Sequence, residues 1–385
     1  MEITLVTGMV SGPTFERLLG LSKTELGICL GAASMGLLFM APIVGHFTHR
    51  VGTFPILLAG LGGVACGIGL TLLAGGFLTL AAALALMGIA SAFVGNANST
   101  FLADLFPDKL RRVMSLASAL WFTSSAVSAP AIGGWLKLAE NRQWDAWSYR
   151  APYIVDLVLI GTCAVLAWKV VRPAARSHPA GAEAASPASE KAANPQPASK
   201  QWLWIPVLGI CHGMMIIVLM AWVNPMVRGK FGVDPLRGAL VLGGLAFGLG
   251  MGRLLLAGIE SSLEERTWLT LSGAAGAVVI SLGLAAPTYW TTLVAMTLAG
   301  LVSCSTFPSI LSLVGTKFKE TKAKLYGYME ASVALAGFVG PAAVGAMADH
   351  GVPVWWALGL SPLAGLMLAV LSLIWRRTEH RSPGR

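Results

Sequence analysis

Long apolar segments separated by short polar breaks run along almost the whole chain. Eleven of them approach the roughly 20 residues that a transmembrane helix needs, and these are residues 25–44, 53–75, 77–102, 112–137, 151–171, 203–226, 237–258, 267–286, 289–315, 325–348 and 353–375. Their residues do not alternate between apolar and polar types, as the strands of a membrane β-barrel do. The pattern therefore predicts an all-α polytopic membrane protein.

A shorter apolar segment, residues 1–18, precedes the first long one and is interrupted by Gly12 and Pro13. It is too short to cross a bilayer comfortably. It also lacks the basic start and the small-residue cleavage site of a signal peptide. We therefore expect it to form the outer part of a truncated first helix, which brings the predicted number of helices to twelve.

The middle of the chain, residues 172–202, is rich in Ala, Pro, Ser, Glu and Lys and has no apolar face. Such a composition is typical of a disordered linker. It divides the chain into an N-terminal six-helix half at residues 1–171 and a C-terminal six-helix half at residues 203–375. We expect residues 376–385 to form a polar tail.

Two pairs of landmarks indicate that the halves are copies of one unit. Gly45 and Gly258 both stand at the start of a polar break and are 213 residues apart. Pro130 and Pro341 both stand close to glycines within an apolar segment and are 211 residues apart. Landmarks that repeat at nearly one spacing predict a duplicated unit, and a duplicated helical membrane unit is the usual build of a secondary transporter.

The composition and the distribution of charge favour a membrane protein. The chain is 55% hydrophobic and 12% charged, whereas soluble proteins carry about 25% charged residues. The net charge of +9 lies in the polar breaks, which argues against nucleic-acid binding. Most Lys and Arg residues share alternate breaks with the linker and the C-terminus, and the positive-inside rule places these in the cytoplasm. We therefore expect a protein of the plasma membrane, a bacterial inner membrane.

No residue pattern predicts a cofactor, a metal site or an enzyme. The five cysteines lie inside apolar segments and are odd in number, unlike a disulfide framework. His46 and His49 stand three apart without a carboxylate or a third ligand beside them. A nucleotide-binding loop, a paired-carboxylate site or an HExxH motif is not found at helical spacing either.

Gly45, Arg50 and Gly52 resemble the signature loop of the major facilitator superfamily, between its second and third helices. The likeness is incomplete, because His49 stands where the signature has an acidic residue and its basic pair is replaced. The resemblance implies a twelve-helix architecture of six plus six helices. It also implies a monomer that moves a small-molecule solute across the bilayer by alternating access.

Further residues are similar to the fucose-permease-like branch, which carries sugars and organic solutes; they include Gly252-Arg253 and Phe307-Pro308. Drug–proton exporters usually carry an arginine in the fourth helix, whereas residues 77–102 contain neither Lys nor Arg. A drug or metabolite exporter is therefore the second hypothesis. A non-transporting membrane sensor or assembly factor remains a third.

Charged residues inside a membrane are costly and usually functional. Glu330 and Arg253 lie at similar depth in two predicted helices, which predicts a cytoplasmic gate pair or a proton-coupling carboxylate. A structural ion pair is the alternative, and Arg50 is the second expected partner of Glu330. Asp156, near the outer end of its helix, is another candidate, although it could also simply reach water.

Polar and aromatic residues at the depth where such transporters bind substrate form a second candidate set: Asn96, Trp121, His212, Asn224 and Ser305. His212 could titrate near neutral pH or be a hydrogen-bonded core histidine. With Glu330, it favours proton symport over uniport. The sequence therefore predicts a proton-coupled transporter of a small polar organic solute, either sugar-like or an organic acid.

Overall fold

The computed structural model describes residues 2–106, 110–173, 200–258, 264–318 and 322–380, and within these ranges it contains helices but no strand. The helices are α1 Glu2–Leu19, α2 Lys23–Val51, α3 Thr53–Leu72, α4 Phe77–Leu105, α5 Leu110–Asn141, α6 Arg150–Leu166 with a π-helical extension Ala167–Val171, α7 Trp204–Phe231, α8 Pro235–Gly258, α9 Glu265–Ala285, α10 Tyr289–Ser303 and Thr306–Lys317, α11 Lys322–Asp349, and α12 Leu360–His380 after a short turn Val354–Ala357. Ten described stretches are long and apolar enough to cross a membrane. The predicted all-α polytopic class is confirmed.

The polar break at residues 45–52 is not a loop, contrary to the sequence-based prediction. α2 continues through it to Val51, and only Gly52 leaves the helix, with φ 91°. Glycine adopts this left-handed conformation without steric cost, so α3 can start at Thr53 directly afterwards. The break marks where α2 leaves the apolar layer, because side-chain polarity does not interrupt the backbone hydrogen bonds of a helix.

α1 is continuous, although the sequence suggested an interruption at Gly12 and Pro13. Its 18 residues rise about 27 Å at 1.5 Å per residue, and α2 has 29 residues. Val6, Val10 and Phe15 are fully buried on one side of α1. The segment is therefore a short but integral helix of the bundle.

The two halves meet mainly where α2 packs against α11 and where α5 packs against α8. Glycines lie at these contacts against the facing backbone: Gly31 against Phe338, and Gly243 against Ala126. Each residue of the second pair lies 212 positions from its counterpart in the first. Small residues at such crossings allow two backbones to approach closely.

The same shift relates contacts inside the halves. In the N-terminal half α2 packs on α4, and in the C-terminal half α8 packs on α10; the contacts are Gly36 with Ala85 and Ile89, and Gly248 with Thr297 and Leu301. Each of the second three is again 212 positions after its counterpart. These repeated contacts support the duplication, whose spacing the sequence landmarks predicted to within one residue.

Polar ties also join the halves at one end of the bundle. We name the end with the α2–α3 connection the linker end, because α6 ends and α7 begins there, and the opposite one the distal end. At the distal end, Asp349 of α11 accepts the backbone N–H groups of Lys23 and Thr24 at 2.9 and 2.7 Å, and the Thr24 hydroxyl at 2.6 Å. An acceptor here satisfies amides that a helix N-terminus leaves free.

A second distal tie joins α5 to the turn before α8. Lys137 Nζ lies 3.0 Å from Asp234 Oδ2, and Arg228 of α7 lies 3.0 Å from Glu140 of α5. Lys137 and Asp349 are 212 positions apart, so the two ties are equivalent in position but opposite in sign. Ion pairs at the linker end, from Glu264 to Arg266 and Arg376, stay within the C-terminal half among the described residues.

Candidate functional site

Arg253 of α8 lies inside the bundle among aromatic rings. Its guanidinium carbon is 4.5 Å from the centre of the Phe122 ring on α5 and 6.0 Å from that of Phe307 on α10. The buried Nε atom has no hydrogen-bond partner. No carboxylate among the described residues pairs with this side chain.

The close packing around α8 brings these groups together. Gly250 lies against Phe122, and Gly252 lies against Cys304, so α5 and α10 approach the helix on both sides of Arg253. An arginine at a helix centre costs about 2.5–3.5 kcal/mol on insertion scales, whereas a cation–π contact returns about 0.5–2 kcal/mol. The rings therefore offset the cost only partly, and an anion at Arg253 would supply the rest.

His212 of α7 stands beside the same aromatic ring, with its ring centre 5.5 Å from that of Phe307. Its Nδ1 lies 2.8 Å from the Thr306 hydroxyl, which itself donates to the Ser303 carbonyl at 2.9 Å. A hydroxyl has one proton to donate, so Thr306 accepts from His212. Nδ1 therefore carries a proton, and in the neutral ring Nε2 is a hydrogen-bond acceptor.

Ser305 belongs to the packing between helices and not to this cluster. It stands at the break between the two parts of α10, and its hydroxyl is hydrogen-bonded to Ser272 of α9. The side chain is buried. The break serves the site indirectly, because it places Thr306 and Phe307 at the start of the second part of α10.

Asn224 also has a structural role, since it ties α7 to α1. Its Nδ2 donates to the carbonyls of Val10 at 2.9 Å and Met9 at 3.4 Å, and the residue is 1% exposed. Pro13 has no N–H to donate to Met9 four residues earlier. The amide of Asn224 therefore fills a hydrogen bond that the proline removes from α1.

The remaining two candidates of the substrate set lie apart from the aromatic cluster. Trp121 is 43% exposed and is not one of the rings that contact Arg253. The neighbouring Phe122 takes that position, because successive residues of a helix point about 100° apart. Asn96 is partly buried on α4. Sequence reasoning thus reached the right turn of α5 but the wrong residue.

The expected ion pair between Glu330 and Arg253 is absent among the described residues, and that prediction is wrong for this structure. α11, which carries Glu330, packs mainly against α2 and α7, whereas Arg253 faces α5 and α10. Glu330 is exposed. Side chains of Gly45, His49 and Arg50 lie outside the described residues, so the second expected partner is not described.

Asp156 of α6 is 3% exposed and does not reach water. Its Oδ2 accepts the hydroxyl of Thr7 on α1 at 2.8 Å. One turn earlier, the buried hydroxyl of Tyr153 has no hydrogen-bond partner. The N-terminal half therefore holds a buried carboxylate that forms no ion pair with a described residue.

The sequence matches the family model described as Major Facilitator Superfamily over residues 2–282 and 208–385. The chain belongs to the major facilitator superfamily. It is therefore a multi-pass membrane transporter and not an enzyme, as the sequence predicted. The E. coli fucose:proton symporter has a similar fold, with a TM-score of 0.62, 14% sequence identity and 97% of each chain covered. At that identity the likeness concerns the superfamily fold alone.

Other members of the superfamily match a shorter segment. The human vesicular acetylcholine transporter is 29% identical over 150 residues, which are 39% of this chain and 27% of that protein. A probable vesicular acetylcholine transporter of Danio rerio is 30% identical over 150 residues, or 39% of this chain and 29% of that protein. The chain thus matches less than a third of the length of these relatives.

Proposed function

We propose that this protein transports a small organic acid in its carboxylate form, by alternating access and with protons as the coupling ion. The single observation that carries the proposal is Arg253, a cation inside the bundle with two aromatic contacts and no described counter-anion. A bound carboxylate would compensate its charge through charge-assisted hydrogen bonds. The rings of Phe122 and Phe307 would cover the apolar part of the solute.

The charge of the site decides between the solutes considered. A neutral sugar would leave the charge of Arg253 uncompensated, and a cationic solute such as acetylcholine would be repelled by it. An anion gains in both respects. The organic-acid alternative is therefore preferred to the sugar-like one and to the exporter hypothesis.

Protons are proposed as the coupling ion because the bundle holds two carboxylates without an ion-pair partner among the described residues, Asp156 and Glu330. A buried ionised carboxylate is costly and tends to take up a proton. Entry of one proton with one carboxylate would carry no net charge. The distal ties close one end, so this conformation would exchange solute at the linker end.

We propose further that the linker end faces the cytoplasm, as its Lys and Arg content favours. The protein would then act as a monomer in the plasma membrane of a bacterial cell. Its partners would be the solute, the proton and the surrounding lipid.

The proposal is tested by uptake into proteoliposomes that contain the purified full chain. The probes are lactate and benzoate as carboxylates, fucose as a neutral sugar and choline as a cation. We expect uptake of carboxylates only, and R253Q should reduce it about 10–100-fold, the usual loss for a hydrogen bond to a charged group. R237Q, at the exposed start of the same helix, is the control. Uptake that R253Q leaves unchanged contradicts the proposal.

A further inference from the structure

The hydrogen bonds of His212 give the candidate site a second polar group besides Arg253. Because Thr306 must accept from Nδ1, the imidazole has only Nε2 left for a further hydrogen bond. Nε2 has no partner among the described residues. A second positive charge close to Arg253 would raise the cost of the uncompensated cation, so the neutral ring, with Nε2 as acceptor, is the state compatible with this site.

The cation and the acceptor lie beside one aromatic ring. The guanidinium carbon of Arg253 is 6.0 Å from the centre of the Phe307 ring, and the imidazole centre is 5.5 Å from it. Both groups can therefore touch one molecule of a few carbon atoms that rests against Phe307. Such a molecule needs an anionic group for Arg253 and a hydrogen-bond donor close to it for His212.

We infer that the site selects 2-hydroxy carboxylates, with the carboxylate on Arg253 and the 2-hydroxyl donating to Nε2 of His212. The inference rests on the proposed function and narrows its substrate class. A plain carboxylate would satisfy Arg253 but would bury the lone pair of Nε2 without a donor. Sites built to hydrogen-bond a substrate hydroxyl discriminate strongly against the analogue that lacks it.

Packing alone does not account for the position of His212. A core histidine is usually satisfied at both ring nitrogens, whereas here the Thr306 hydroxyl is committed at both its donor and its acceptor side and serves only Nδ1. The ring is 6% exposed, and the contact with Phe307 holds its plane. The arrangement thus orients one acceptor toward the space beside Arg253.

The experiment compares matched acids on the purified full chain in lipid nanodiscs by calorimetric titration. The probes are lactate, propionate and 2-methoxypropionate, with mandelate and phenylacetate as a larger pair. We expect the wild type to bind each hydroxy acid at least about tenfold more tightly than its partner without the hydroxyl. The methoxy acid, which has no donor, should bind like propionate.

Variants of His212 separate selectivity from carboxylate binding. H212F should abolish the preference while binding propionate within about threefold of the wild type, and H212Q should retain part of it, because its amide oxygen can accept. T306V should weaken the preference and T306S should preserve it. R253Q should weaken the binding of all five acids.

Each outcome decides between the two proposals. Equal binding of lactate and propionate by the wild type, or a preference that persists in H212F, overturns the inference but leaves an organic-acid transporter in place. Binding of none of the acids, or binding that R253Q does not change, overturns the proposed function and the inference with it. If H212F does not fold, the comparison of the methoxy acid with lactate on the wild type still decides.

Discussion

The carboxylate of Asp349 accepts the backbone N–H of Thr24 at 2.7 Å and so fastens the end of α11 to the first turn of α2. The two residues belong to different halves. A transporter that works by alternating access must break this contact to open the distal end. The bond is therefore a measurable element of the conformational equilibrium.

We expect D349A to raise the population that is open at the distal end about tenfold. Loss of a helix N-cap costs about 0.5–2 kcal/mol, and this carboxylate accepts three hydrogen bonds in the closed form. The measurement is the spin-label distance between Q143C and H350C, with the exposed Cys66 and Cys163 replaced by serine. D145N is the control, since its ion pair with Arg17 stays within the N-terminal half. An unchanged distance distribution in D349A would remove Asp349 from the gate.

The equivalent tie on the other side, between Lys137 and Asp234, should resist acid. Burial raises the pKa of the Asp234 carboxyl, but the N–H of Arg237 and the charge of Lys137 outweigh it and hold the pKa below its usual range. A lowered pKa means that the contribution is complete above the unfolded value of about 3.9 and is lost as the pH falls through the folded one.

The distance between the same two labels should therefore stay constant from pH 8 to 5 and increase only below about pH 4. D234N should widen it already at neutral pH, by less than D349A does, because a partly exposed ion pair contributes at most about 1 kcal/mol. Widening of the wild type near pH 6 would mean that another group controls the distal end.

Asn224 is predicted to matter for stability and not for solute recognition. N224A leaves the carbonyl of Met9, which Pro13 already deprives of its helical partner, and that of Val10 without the amide donor. A buried acceptor without a partner costs about 1–3 kcal/mol, so the melting temperature in detergent should fall by several degrees. N98A, at an exposed position of α4, is the control. If N224A melts like the wild type but no longer binds solute, the structural role is wrong.

Asp156 is predicted to bind the coupling proton. D156N should abolish accumulation against a gradient while it preserves exchange of solute between the two sides, because an amide cannot bind and release a proton at neutral pH. T7V removes the hydroxyl that donates to Asp156 and should shift the pH optimum without abolishing coupling. Proton-driven accumulation in D156N at the wild-type level would exclude this role and would leave Glu330 as the carboxylate to test by E330Q.

Some features of the structure follow from neighbouring residues alone. The length and apolar character of each segment predict a membrane helix, because the bilayer requires about 20 apolar residues and internally satisfied backbone groups. The spacings of Gly45 to Gly258 and of Pro130 to Pro341 predict the duplication, which the contacts repeat at 212 residues. These are properties of local composition and of order along the chain.

The sequence by itself therefore determined the class, the helices and the internal repeat, whereas the tertiary structure alone decided which polar groups meet. Asn224 was assigned to the solute site because its partner, a carbonyl of α1, lies more than 200 residues away and has no side-chain signature. Glu330 was paired with Arg253 by depth, which says nothing about the direction in which either helix face points. Depth and period follow from the chain, but the meeting of two faces depends on how distant helices pack.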